Sequence, residues 1–205
     1  MILSILIPSI PERANKLNIL LDNLKTQVIE VNKTHPTLGE VEILIDDSKK
    51  FIEGGKSVGK KRYDLIKKAK GKYICFLDDD DLPSPNYVEY ILRGATYNMD
   101  CITFMQIFKC DTYWGLADLD LNNINEEAKP SIFKRNVWHI CPIKKDIAIK
   151  EKFDNINNAE DWKWIEKIIS NIKTSYKINA ILHQYNHSKN TSAVDEIEYI
   201  NTKSI

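Results

Sequence analysis

The chain has 205 residues, enough for one domain with a sizeable core that needs neither disulfide nor metal staples. Lys plus Arg and Asp plus Glu number 29 each, which excludes a basic nucleic-acid arm or an acidic tail and leaves the chemistry to local charge. The four cysteines, Cys75, Cys101, Cys110 and Cys141, form no CxxC pair, and Cys75 and Cys101 lie in apolar runs, so reduced thiols are expected rather than disulfides.

Met1 to Ile7 is apolar, lacks a basic leader and is stopped by Pro8; it reads as a buried strand over 2–7 rather than a signal peptide or membrane span. No other run is long enough to cross a bilayer, which predicts a cytoplasmic protein with peripheral membrane contact left open. Leu17, Leu20, Leu21 and Leu24 recur at helical spacing and complete a first strand-helix unit. Val41 to Ile45 is a second strand ending in Asp46-Asp47. Gly54 to Gly59 then leads into a helix with Tyr63, Ile66 and Ala69 on its apolar face, and Gly71 is expected to stop it. A strand over 72–77 runs straight into Asp78, Asp79, Asp80 and Asp81.

Pro83 and Pro85 predict a turn, Tyr87 to Gly94 a helix facing inward through Val88, Ile91 and Leu92, and 101–108 another strand. From Asp111 to about Lys134 the chain is polar and predicts a mobile loop. A short mixed stretch from Ile140 to Ile149 follows. Asn157 to Trp162 begins a helix containing Trp164, Ile165, Ile168 and Ile169; Ile178 to Tyr185 is a last strand, and 191–205 a peripheral tail. Apolar strands separated by helical segments predict an α/β fold with a mostly parallel central sheet flanked by helices, in which ligands gather at the carboxyl ends of the strands.

Four adjacent carboxylates at a strand exit repel one another and call for a positive partner. A divalent cation is the simplest, and oxygen ligands favour Mg²⁺ or Mn²⁺. A strand ending in Asp-Asp, a glycine-containing helix entry with an arginine soon after, the run AKGKYICFLDDDDLPSPNYVE and a helical AED together resemble family-2 glycosyltransferases of the GT-A fold. The resemblance covers roughly residues 2–190 and implies a single domain over 1–205, with a nucleotide-sugar-binding half over about 1–110 and an acceptor-binding half over about 111–190.

By the same resemblance, Asp78 and Asp80 would hold Mn²⁺ or Mg²⁺ on the donor diphosphate, completed by His187 or else His183. In extended geometry those two aspartates would share one side and Asp79 the other. Pro8, Ser9, Arg13, Asp46, Asp47, Gly59, Arg62, Asp78 and Asp79 would face the donor, although Ile10-Pro11-Glu12-Arg13 replaces the family's aromatic-Asn pair. Asp161 would be the general base, with Trp138, His139, Glu160 and Trp162 toward the acceptor. The implied activity is metal-dependent, inverting transfer from a nucleotide sugar, UDP being the commonest donor nucleotide of the family, to a hydroxyl of a glycan, lipid-linked or protein-linked acceptor. A UDP-binding module without turnover is the alternative. Gly54 and Gly59-Lys60 also match G-x-x-x-x-G-K of a P-loop, but Lys61 stands where Ser or Thr is required and the preceding strand ends too early.

Overall fold

The computed structural model describes residues 1–50 and 53–186. Strand β1 (Leu3–Pro8) is buried along its whole length, and β2 (Val41–Asp46) and β3 (Tyr73–Phe76) flank it in parallel, with Leu3 opposite Val41 on one side and Tyr73 on the other. Helices α1 (Ala14–Thr34) and α2 (Val58–Lys68) make the two crossovers. This is the parallel unit that the alternation of apolar runs and helical stripes predicts.

Beyond β3 the sheet becomes mixed. Strand β8 (Ile143–Lys144) pairs antiparallel with β3 and meets β5 (Cys101–Lys109) at Cys101. On the same edge β5 pairs antiparallel with β6 (Trp114–Leu119), and on its other edge parallel with β9 (Ser175–Asn186). The short β7 (Ile132–Arg135) continues from β6, and β4 (Leu82–Pro83) pairs with β9. Among the described residues all nine strands belong to one sheet.

Local physics accounts for the helices. In α1, Leu17, Leu20, Leu21, Leu24 and Val31 form one buried stripe, and the buried Gln27 joins it by donating to Ser84 O at 2.9 Å and accepting from Val88 N at 3.0 Å. Gln27 thereby satisfies an otherwise orphaned amide in the first turn of α3 (Tyr87–Ala95). Helix α2 is capped by Ser57, whose Oγ accepts from Lys60 N at 3.1 Å. After the short α4 (Lys145–Ala148), α5 (Glu160–Ile168) brings in Trp164, which stacks on Phe153 at 4.5 Å, and Phe76 meets both rings edge-on. That aromatic cluster docks the helix on the end of β3.

Three expectations change. The segment 111–134 contains β6 and the first part of β7 rather than an open loop: Gly115, Ala117 and Leu119 alternate inward, but two of them are too small to register as a strand's apolar face. The Pro83–Pro85 region contributes β4 before it turns, an edge position where Pro83 need not donate. Helix α2 ends at Lys68, ahead of Gly71, which instead passes so close to β1 that a Cβ would stand 2.5 Å from Ser4 N. No helix of the described residues is long and apolar enough to cross a membrane.

Candidate active site

The parallel strands deliver their exits to one rim. Ser9 N–H donates to Asp46 O at 2.9 Å and Leu77 N–H to Leu6 O at 3.1 Å, so Pro8, Asp46 and the acidic run emerge side by side. The aspartates do not stay extended. Asp81 N–H closes on Asp78 O at 3.0 Å, and Asp78 N–H returns to Asp81 Oδ2 at 2.8 Å. The run is a hydrogen-bonded turn, which ends the strand alternation that would have set Asp79 apart from Asp78 and Asp80.

Each aspartate has its own surroundings. Asp79 is buried and accepts from Ser9 Oγ at 2.6 Å and Arg13 Nη1 at 2.8 Å; burial still outweighs these partners and raises its carboxyl above the usual range. Asp80 faces Lys16 Nζ at 3.5 Å and Arg13 Nη1 at 3.8 Å, and lines a hollow of about 240 Å³ together with Lys16, Leu20, Leu82 and Asn186. Burial, reinforced by the three neighbouring carboxylates against Arg13, pushes Asp80 up to about 6. Asp81 is buried opposite His183, with Nε2 2.9 Å from Oδ2, and Gln106 holds the far side of that ring at 3.0 Å. His183 thus anchors the turn from β9. His187 lies outside the described residues.

Arg62 joins the turn to the second motif. It is 3% exposed, lies 5.0 Å over the Phe76 ring, and donates from Nη2 to Asp78 at 2.8 Å and from Nε to Glu160 at 3.1 Å. Burial opposes its charge, but Asp78, Glu160 and Asp161 together hold the guanidinium well above its ordinary pKa. Glu160 is buried against Arg62 rather than open to an acceptor, and its own burial raises its carboxyl despite that partner.

Asp161 follows in the first turn of α5, where the helix dipole favours negative charge. Ala159, the residue that precedes the helix, has φ 58°, a left-handed conformation unusual for a residue with a Cβ, and no side chain caps the helix. Neither Asn157 nor Asn158 serves as that cap; Asn157 Oδ1 accepts from Val58 N at 3.1 Å and so helps to start α2 instead. Burial would raise Asp161, but His139, whose Nδ1 lies 3.1 Å from Oδ2, and Arg62 hold it well below the carboxylate range. Trp138 and Trp162 meet at 5.4 Å between ring centroids beside this pair.

The remaining predicted donor residues gather on the β1–β2 side. Asp46 is buried, bonded to Ser48 Oγ at 2.6 Å and Lys56 Nζ at 2.7 Å, while Asp47 is exposed. Gly59 serves the protein's own backbone: a Cβ there would stand 1.9 Å from Asp154 O. Gly59→Ala is therefore expected to destabilise the fold by about 2 kcal/mol, checked by urea denaturation, through displacement of the segment that leads to Ala159 and α5. Lys60 is exposed and paired with Asp64 at 2.7 Å, so it does not act as a P-loop lysine.

Two further residues join the site without a role expected from the sequence. Lys61, 1% exposed, donates from Nζ to Ser9 O at 2.6 Å and Ser48 O at 2.5 Å, tying the β1 and β2 exits together. It sits four residues before Leu65 on the inward stripe of α2, a signal that helical spacing contained. Tyr185 on β9 has its phenol pushed up to about 12 by burial and then by Asp78, Asp81, Asp80 and Asp161.

The family model described as "Glycosyl transferase family 2" matches residues 4–146, more than half of the chain. The chain belongs to glycosyl transferase family 2. Among solved structures this glycosyltransferase is similar to S. aureus TarS 1-349, with TM-score 0.62, 15% identity, and 91% of this chain and 60% of that chain covered. It is also similar to TarS 1-349 in complex with UDP-GlcNAc (0.60, 14%, 91% and 59%) and in complex with UDP (0.61, 15%, 92% and 61%). These likenesses establish the GT-A fold, and the chain spans about three fifths of those neighbours' length. No curated protein sequence matches. The family match ends before α5 and so does not reach Asp161.

Proposed function

We propose that this family-2 glycosyltransferase moves a sugar from a nucleotide sugar, most directly a UDP-sugar, to an acceptor hydroxyl with inversion, assisted by Mn²⁺ or Mg²⁺. The observation that carries the reading is the Arg62 bridge, which locks the acidic turn through Asp78 to Glu160, the residue before Asp161. The UDP and UDP-GlcNAc bound to the TarS neighbours favour UDP as the nucleotide. On this reading about the first 110 residues would serve the donor, with Pro8, Ser9, Asp46, Asp47 and Arg62 around the nucleotide, and the stretch from about residue 111 the acceptor.

Among the described residues no three His, Cys, Asp or Glu side chains converge as a ready metal cluster. The donor set nevertheless suits a hard cation: the four carboxylates are only partly offset by Arg13, Lys16 and Arg62, and Asp80 is left with its pKa raised. Asp80 would hold the ion with Asp78, and the bound ion would supply positive charge against the departing diphosphate. Arg62 keeps Asp78 in place, and Ser9 and Arg13 keep Asp79 turned inward. Asp161, held ionised, takes the proton of the acceptor hydroxyl as it attacks. Without a second carboxylate acting as nucleophile, a single displacement inverts the anomeric carbon. Trp138 and Trp162 offer aromatic faces to an acceptor ring.

The test is a panel of nucleotide sugars assayed for release of free nucleotide, with Mn²⁺ and with chelator. Release of UDP from a UDP-sugar that chelator abolishes is the expected result. Binding of UDP without turnover on any acceptor would instead make the chain a binding module, and full activity in chelator would remove the metal.

Asp80 supplies a second test. Its folded pKa of about 6 lies above the unfolded value, so the carboxyl costs stability once pH rises through that range and costs nothing below the unfolded pKa. Asp80→Asn is expected to raise Tm by roughly 2–4 °C at about pH 7.5, to leave it unchanged near pH 4, and to weaken Mn²⁺ binding measured by calorimetry. A lower Tm at neutral pH would show that the Lys16 and Arg13 contacts outweigh the repulsion.

A further inference from the structure

We propose that His139 is the positioning residue that aims Asp161 at the acceptor hydroxyl, an inference that rests on Asp161 being the base. The carbonyl of His139 accepts from Phe76 N–H at 3.2 Å, fastening the residue to the last position of β3, two residues before the acidic turn. Its ring is buried beside Phe76, at 6.4 Å between centroids, and Trp138, at 5.6 Å. Nδ1 is buried and lacks an aligned hydrogen bond among the described residues, yet stands 3.1 Å from Asp161 Oδ2.

A buried imidazole nitrogen left unpaired carries a desolvation cost, and the carboxylate beside it is the acceptor that relieves this cost. Catalytic hydrogen bonds are often poorly aligned in a free enzyme and tighten only in the substrate complex. Asp161 Oδ1 already accepts from Trp162 N–H at 2.8 Å. An Nδ1–H bond to Oδ2 therefore holds the carboxylate at two points and fixes its rotation. One of these points belongs to α5 and the other to the chain bonded to β3. The base is thereby set in register with the strand that carries the donor-side aspartates, which bears directly on proximity and orientation.

The substitutions His139→Leu and His139→Asn separate this role from packing, because an asparagine amide nitrogen can stand near the place of Nδ1. With UDP-GlcNAc as the probe donor, His139→Leu should lower kcat roughly 10- to 100-fold with KM within about twofold, and His139→Asn should recover most of the loss. Adding His139→Leu to Asp161→Asn should cost nothing further. Independently of any donor, proton NMR of the wild-type chain should show a downfield imidazole N–H resonance that disappears in both Asp161→Asn and His139→Leu. Full kcat in His139→Leu overturns the proposal, as does equal damage in the Leu and Asn variants with matching loss of Tm. If UDP-GlcNAc is not turned over, absence of that resonance, or its persistence in Asp161→Asn, overturns it instead. Activity retained by Asp161→Asn would remove the base itself, whereas an inactive Asp161→Asn beside a fully active His139→Leu removes only this inference.

Discussion

Asp161→Asn is expected to lower turnover by roughly 10²- to 10⁴-fold while leaving Mn²⁺-dependent UDP binding within about twofold of the parent. On the proposed mechanism proton transfer needs a carboxylate at the acceptor side, whereas the donor contacts would come from the acidic turn and from the exits of β1 and β2. Steady-state kinetics paired with UDP calorimetry checks both halves; retained activity would remove Asp161 from the mechanism. The pH profile adds a sign. Asp161 is depressed well below the carboxylate range, with burial overcome by His139 and Arg62, so it stays ionised through mildly acidic pH. Its stabilising contribution is complete above about pH 4 and is lost only as pH falls further through the depressed value. An acid limb of activity near neutrality therefore belongs to another group.

Arg62→Met is expected to destabilise the fold by about 3–5 kcal/mol, because it strands Glu160, and Asp78 beside it, without their positive partner. Equilibrium urea denaturation measures the loss. Removing both members of the buried pair, as in Arg62→Met with Glu160→Leu, should recover much of it, since the cost lies in the unpaired charge rather than in the absence of the bridge. Arg62→Lys should hold the fold better yet impair transfer strongly. A lysine is a single point charge and cannot span Asp78 and Glu160 as the guanidinium fork does. If Arg62→Met melts like the parent, the bridge contributes nothing and the proposed coupling of donor and base motifs fails with it.

The elements that were legible in the sequence share one property. In β1, β3 and α1 the apolar side chains are large and follow the period of the element, so hydrophobicity alone announces the strand or the helix. Strand β6 fails that criterion because Gly115 and Ala117 take its inward positions, and β4 because two residues carry no period at all. The same contrast runs through the site. The aspartate run could be singled out because four like charges in a row are chemically unusual, and Asp161 because its AED run resembles a motif of the family. For Lys61 helical spacing gave the inward position but not the role, because a lysine among lysines reads as a solvated face until Ser9 O and Ser48 O are seen to accept from it.

By itself the sequence determined that three strand exits would meet on polar chemistry and that the acidic run called for positive partners, because both follow from local apolar patterning and from like-charge repulsion. Only the tertiary structure decided which partner each carboxylate has. Asp79 turns to Ser9 and Arg13, Asp81 to His183, Asp78 to Arg62, and Asp161 to His139, and every one of those partners is supplied from at least sixteen residues away in the chain. Such pairings depend on how helices dock on the sheet, and no local property of the chain specifies that distance.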